Sequence, residues 1–349
     1  MRKSRSKSKD TKQSFRDVVA EAFIKSIEAD PLNWRKEWSY AGTDRPYNAV
    51  KGNHYKGINV FYLSYVAHEK GYSDPRWATF NQASENEWRI KAGEKGTRIE
   101  YWMPIDNETG KVIAWAEYNR ATAHGTRNLY YTDQNGKKQE KYSIRAKYFV
   151  VFNGDQIEGI QPLEQKLNYE IKKSDVVDRV SNGMNVPIIE SNSARAYYSS
   201  SSDEIHIPLR QQFESDNAYQ STALHELGHA TGHPNRLSRD QSGTFGTENY
   251  AFEELVAEIA STFMSEYFET EMSESEMKNH QAYVQDWADA IKKDKNYLFR
   301  AIKLAEEAAD YMIEKGELDV LRDKAIENVK TETVAEKSRS RKAEEEFEM

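Results

Sequence analysis

Apolar residues recur at intervals of three and four from Phe15 onward. Val18, Val19, Phe23, Ile24 and Ile27 fall on one face and Pro31 ends the run, so the spacing predicts an amphipathic helix. The same period over 58–70, with Phe61, Tyr62 and Tyr65 turned inward, predicts a buried helix closed by Gly71. The period then shortens. Trp88 and Ile90 alternate with polar neighbours, 93–96 reads as a turn and 97–103 alternates again, which predicts sheet over 86–105. Residues 106–142 are polar and rich in turn signals, and read as an insertion or a long hairpin. A short apolar strand is predicted at 148–152.

The second half predicts a helix over 174–181, a strand at 186–190, and two strands, 196–202 and 205–208, around a Ser/Asp turn. Residues 211–219 lead into a helix that Gly232 breaks and Pro234 keeps from resuming. Acidic and apolar residues alternate at helical spacing over 252–258, and an acidic link follows at 266–277. Two more helices carry apolar stripes: Tyr283, Trp287 and Ile291, then Leu298, Ile302, Ala305, Ala309 and Met312. This succession predicts an α+β protein of two domains, 14–163 and 170–315, joined near 160–170. Residues 1–13 and 330–349 are charged and aperiodic, and read as disordered tails.

A chain of 349 residues accommodates two cores, and 30% charged residues against 38% hydrophobic ones describe a soluble protein. No apolar run approaches the roughly 18 residues of a membrane span, so a cytoplasmic protein without membrane contact is expected. There is no cysteine, which excludes disulfides and thiolate metal sites and leaves histidine and carboxylate as metal donors. The net charge of −8 hides an asymmetry: residues 1–163 hold 27 Lys+Arg against 20 Asp+Glu, and 164–349 hold 22 against 37. Six of the seven tryptophans lie in the basic half.

Within that half, aromatic and basic residues interleave: Trp34, Arg35, Lys36, Trp38, Arg45, Tyr47, Lys51, Tyr55, Lys56, Arg76 and Trp77. Bases of a single strand stack on aromatic faces while Lys and Arg follow the phosphates, so these are candidate contacts to single-stranded DNA. A buried core would use the same rings, and for the loop residues the two readings weigh equally.

The clearest chemistry is His225-Glu226-Leu227-Gly228-His229. Histidines four apart on a helix stack on one face and can offer two nitrogens to one Zn²⁺, with Glu226 beside it as general base. A catalytic-type zinc site needs a third protein ligand. His233 is one source; the longer pattern HExxHxxGxxH would put a third histidine at 235, where Asn235 stands. The acidic helix is the other: Glu254 is the expected ligand, Glu258 one turn on is the carboxylate that orients an imidazole, and Glu253 is the alternative ligand. Tyr197, Tyr198, His233 and Tyr250 are candidates to support an oxyanion, unranked. A His₂Glu set also admits manganese, though zinc is expected.

These motifs and their order resemble the ArdC-type antirestriction proteins of conjugative plasmids and related mobile elements. The resemblance rests on Pro46-Tyr47-Asn48-Ala49-Val50, Tyr55-Lys56-Gly57-Ile58-Asn59, Asp74-Pro75-Arg76-Trp77, Ala92-Gly93-Glu94-Lys95-Gly96, Phe152-Asn153-Gly154-Asp155-Gln156, Ile205-His206-Ile207-Pro208 and the two metal-motif helices. It implies a single-stranded DNA-binding domain joined to a zincin-like metallopeptidase domain, protecting incoming DNA from host restriction. By similarity His225, His229 and Glu254 would hold the metal and Glu226 would be the catalytic glutamate. Two other functions are compatible with the same residues: an active zinc endopeptidase directed at a host restriction enzyme or another DNA-bound protein, and an interaction module around a structural metal.

Overall fold

The computed structural model describes residues 14–31, 34–38, 45–123, 129–163, 173–244, 246–264, 267 and 274–327. The two predicted tails, 1–13 and 330–349, and the side chain of Lys36 lie outside the described residues.

In chain order these residues begin with α1 (Phe15–Ala29), α2 (Trp34–Trp38), β1 (Tyr47–Asn48), α3 (Ile58–Lys70), β2 (Arg76–Thr79) and α4 (Phe80–Glu85). There follow β3 (Arg89–Ile90), β4 (Thr97–Asp106), β5 (Lys111–Val112), α5 (Trp115–Thr122), β6 (Tyr130–Thr132), β7 (Lys138–Glu140), β8 (Tyr142–Asn153) and β9 (Ile157–Glu158). The remainder is α6 (Lys173–Met184), β10 (Ile188–Ser191), β11 (Tyr197–Ser199), β12 (Glu204–Pro208), α7 (Asp216–Ala230), α8 (Glu248–Phe263), α9 (Glu274–Lys293) and α10 (Asn296–Lys315). The fold is α+β. No helix among the described residues is long and apolar enough to cross a membrane.

By contact, the chain falls into two compact units. One unit joins residues 1–76 to 160–349, and the other is 77–159. The reason is where the first helices bury their apolar faces. Ser14 caps α1 in a reciprocal box with Asp17, and Phe23 on its inner face meets Trp34 and Trp38 edge-on at 5.1 and 5.3 Å. Trp38 stacks on Phe61 and Tyr65 of α3 at 4.5 and 4.3 Å, and Phe61 reaches Phe263 of α8 at 6.0 Å. Gly71 closes α3 in the left-handed conformation, φ 66°, which a side chain would resist. These residues share one core with α6 to α10. Polar contacts reinforce the union: Arg45 pairs with Glu306 at 2.6 Å, and the Gly57 N–H donates to the same carboxylate at 2.9 Å.

The metal-motif half of this unit is a three-stranded sheet under helices. Its order is β10-β12-β11, with β10 parallel and β11 antiparallel to β12, so β11 is an edge. Ile205 and Ile207 of β12 are fully buried. Trp287 of α9 is fully buried and donates its indole N–H to the Ala251 carbonyl at 2.7 Å, which ties α9 to α8.

The second unit is built on a ribbon. Strand β4 pairs with β8 along its whole length, from Thr97 opposite Val151 to Asp106 opposite Tyr142. β5 continues the edge of β4, while Trp77–Thr79 of β2 pair with the end of β8. Trp77, Ile99, Val151 and Ile157 are buried in this unit. Strand β8 is 12 residues long rather than the five predicted at 148–152, because polar residues of the supposed insertion continue it outward. The described residues of that stretch also form β5, α5 and the β6–β7 hairpin.

Candidate metal centre and nucleic-acid surface

Helix α7 begins where the Ser215 hydroxyl accepts the Ala218 N–H at 3.1 Å. Ala223, Leu224, Leu227 and Ala230 bury one face, which leaves Glu226 and His229 to line a cleft, with His225 beside them. Helix α8, capped by Thr247, carries Glu254 to the same place. The cleft holds about 320 Å³ and its lining includes Tyr197, Tyr198, Glu226, His229, Tyr250 and Glu254.

His225, His229 and Glu254 each offer a ligand atom within 4.8 Å of the others. The two Nε2 atoms are 3.1 Å apart, and Glu254 oxygens lie 3.5 Å from His225 Nε2 and 3.6 Å from His229 Nε2. Two donors on one ion at about 2.0–2.2 Å and near-tetrahedral angles stand about 3.4 Å apart, so the observed spacings bracket what a single Zn²⁺ would impose. The residues present fit a mononuclear divalent ion.

Electrostatics agree with that geometry. Burial pushes Glu254 up, but His229, His225 and the Tyr250 hydroxyl overcome it and hold the carboxyl at about 2. Burial depresses His225, yet Glu254 and Glu258 raise it well above the ordinary imidazole range; His229 is raised in the same manner, chiefly by Glu254 and Glu253. A metal ion would compete with protons for these two nitrogens. Glu226 is the counter-case. Its carboxyl is pushed up, mainly by burial, against the pull of both histidines and the Tyr198 backbone N–H. A buried carboxylate with a raised proton affinity is suited to accept a proton.

Behind the imidazoles stand two more carboxylates. Glu258, fully buried, lies 2.9 Å from His225 Nδ1, the orienting place its spacing anticipates. Glu253 lies 3.3 Å from His229 Nδ1 and is gripped by Arg239, so it supports a ligand rather than joining the tripod. Gly232 permits this arrangement: a Cβ there would stand 2.6 Å from Gln241 Nε2 and 3.0 Å from Arg239 Nη2. His233 is outside the tripod, its Nδ1 accepting the Asn235 N–H at 3.1 Å within the turn that ends α7.

Of the remaining cleft candidates, the Tyr198 hydroxyl donates to Asp203 at 2.7 Å and accepts from Arg236 at 3.0 Å, so it is already engaged. Tyr197 stacks on His206 at 4.9 Å and is half exposed. Tyr250 hydrogen-bonds Glu254 and is the phenol that reaches the tripod.

The proposed DNA contacts fare differently. Trp34, Trp38 and Trp77 are at most 1% exposed, and Arg35 is buried at 7%; Trp34 and Trp38 pack against Phe23, and rings so buried present no face to a base. Those four are corrected to core residues. Arg45 is committed to Glu306, and Arg76 to Asp74 and the Gln161 carbonyl. Tyr47 and Tyr55 are half-buried, and Lys51 and Lys56 are exposed.

Exposed aromatics occur instead on the outer ribbon. Tyr101, Trp102 and Tyr148 are 53%, 36% and 49% exposed. Register puts Trp102, Tyr148 and Arg98 on one face and Tyr101 with Lys147 on the other. The Arg98 guanidinium lies 5.9 Å from the centre of the Tyr148 ring, and Lys147 Nζ is 5.0 Å from that of Phe149.

An HExxH helix, a glutamate on the next helix and a sheet edge beside the cleft define a zincin-like metallopeptidase, and residues 175–304 match the family model of that description. Residues 13–152 match the N-terminal domain of anti-restriction factor ArdC. The crystal structures of the antirestriction ArdC protein from the R388 plasmid, metal-free and Mn(II)-bound, are each 30% identical to this chain, with a TM-score of 0.66, covering 87% of this chain and 98% of theirs. The chain belongs to the ArdC antirestriction family. A DNA primase TraC of Escherichia coli is 35% identical over 317 residues, 87% of this chain but only 27% of the primase, so the chain spans about a quarter of that relative. Uncharacterized protein y4eC of Sinorhizobium fredii is 28% identical over 84% of this chain and 90% of its own length.

Proposed function

We propose that this protein binds single-stranded DNA entering a cell and protects it from restriction, and that it carries one zinc ion in a hydrolase-type site. The observation that carries the reading is the tripod of His225, His229 and Glu254 opening onto a cleft beside the buried Glu226. When bound, the metal would acidify a coordinated water and polarise a carbonyl. The chain's own residues do the rest: the three ligands fix the ion, Glu226 accepts the proton, and Tyr250, held at Glu254, is the side chain placed to meet negative charge developing on the substrate oxygen. Zinc suits a His₂Glu set, whereas manganese stands low in the usual affinity order. Metal content of protein purified without chelator tests this directly. Zinc at one equivalent is expected, and manganese alone would overturn the choice of ion.

The DNA half of the reading rests on the ribbon. Its exposed rings are interleaved with cations, and residues 137–147 hold five Lys+Arg against one acid. Stacking contributes about 1–3 kcal/mol per base, so Tyr148→Ala and Trp102→Ala should each weaken oligonucleotide binding about fivefold or more in fluorescence anisotropy. Affinity should also fall steeply with salt. Unchanged binding in both variants would remove the ribbon from the interface.

Glu226→Gln separates DNA protection from hydrolysis. It preserves the ligands and the shape of the cleft but removes the proton acceptor. Full protection by this variant in a restriction challenge identifies the protein as a DNA-coating shield. Lost protection with DNA and metal binding intact instead identifies an endopeptidase acting on a host restriction enzyme or another DNA-bound protein.

A further inference from the structure

The two imidazoles are backed by the same sequence of groups, but from different parts of the chain. His229 is followed by Glu253 and then Arg239, whose Nε and Nη2 donate to the two carboxylate oxygens at 2.9 and 2.6 Å. His225 is followed by Glu258, whose second oxygen lies 3.1 Å from Arg35 Nη1. Arg239 belongs to the loop between α7 and α8. Arg35 belongs to α2, about two hundred residues upstream, outside residues 175–304 and inside the stretch that matches the ArdC N-terminal domain.

Arg35 is placed by its neighbours. Trp34 and Trp38 flank it on α2, each buried to 1%, and both rings lock against Phe23. That anchoring aims the guanidinium at a carboxylate with no exposure to solvent. A buried carboxylate requires a compensating cation, and a guanidinium fixes its orientation as well as its charge. A hydrogen-bonded acceptor on Nδ1 in turn fixes the ring plane of an imidazole, so that Nε2 points at the ion.

We infer that α2 is part of the metal site: Arg35 is a positioning residue that holds Glu258, and through it His225, in the orientation that binds the ion. The inference rests on the metal reading proposed above. The N-terminal segment then contributes to metal affinity without supplying a ligand.

The test is divalent metal affinity of the full chain, measured with Zn²⁺ against a chromophoric chelator. Arg35→Met should weaken binding about 10–100-fold, the range typical of lost support to a ligand. In a Glu258→Gln background the same substitution should change affinity less than twofold, because the relay is already cut. A role confined to packing would weaken binding equally in both backgrounds and would overturn the inference, as would wild-type affinity in Arg35→Met. Should Arg35→Met fail to fold, Arg35→Lys keeps the charge and serves in the same cycle, with an expected loss of threefold or more that vanishes beside Glu258→Gln; no loss is equally fatal. If the wild-type chain binds no divalent metal, the metal reading itself falls, an outcome distinct from either.

Discussion

At the scale of single residues, neighbouring glutamates on α8 take different tasks because of where each points. Glu253 and Glu254 are separated by about 100° around the helix, so one faces the ion side of the imidazoles and the other lies behind His229. Sequence spacing gave Glu254 and Glu258 a common face, and the structure brings both to His225. It could not show which carboxylate an arginine would claim, since Arg239 arrives from a loop whose path depends on Gly232. Glu253 also sets a pH dependence. Against burial, Arg239 and His229 hold its carboxyl at about 2, below the ordinary 4.5. Its contribution to stability is therefore complete above pH 4.5 and is lost as pH falls toward 2. In the metal-free protein, Glu253→Gln should flatten the fall of Tm across that interval relative to wild type. Parallel profiles would show that the Arg239 pair adds nothing to folding.

At the scale of elements, the helices were the legible part. Helix α3 occupies the predicted 58–70, and α1 ends at the residues before Pro31, because periodicity and helix stops are local signals. The pairing of β8 with β4 joins segments about forty residues apart, and nothing local specifies the partner of a solvent-facing strand. Helix α2 shows a second limit. An aromatic and basic pentapeptide reads alike whether its rings face a base or a core, and only the tertiary neighbours decide. Since Phe23, Phe61 and Tyr65 surround it, Trp38→Ala should cost about 3–5 kcal/mol of stability by denaturant unfolding, as large core truncations do. Any loss of DNA binding should track the fraction unfolded. A folded Trp38→Ala protein of wild-type stability that no longer binds oligonucleotide would return this ring to the interface.

At the scale of the whole molecule, the second unit is an insertion. Residues 77–159 leave and re-enter the larger unit at neighbouring points, since the Arg76 guanidinium donates to the Gln161 carbonyl at 2.8 Å. Chain ends that lie together allow a segment to be removed without stretching what remains. The converse cut, starting the chain near 160, would strip α1, α2 and α3 from the core they share with α8 and expose Phe263. Replacing 77–159 by a short Gly/Ser linker should accordingly give a folded protein. Every side chain of the tripod, both supporting carboxylates and Arg35 stay in it, so Zn²⁺ affinity should remain within about threefold of wild type, while oligonucleotide binding should fall to what Lys51, Lys56 and the basic N-terminal residues sustain. Chelator competition and anisotropy on the same preparation read both. Metal binding lost with the insertion would mean that the site draws on residues beyond its own unit, and DNA binding retained at full strength would move the nucleic-acid surface off the ribbon and onto the larger unit.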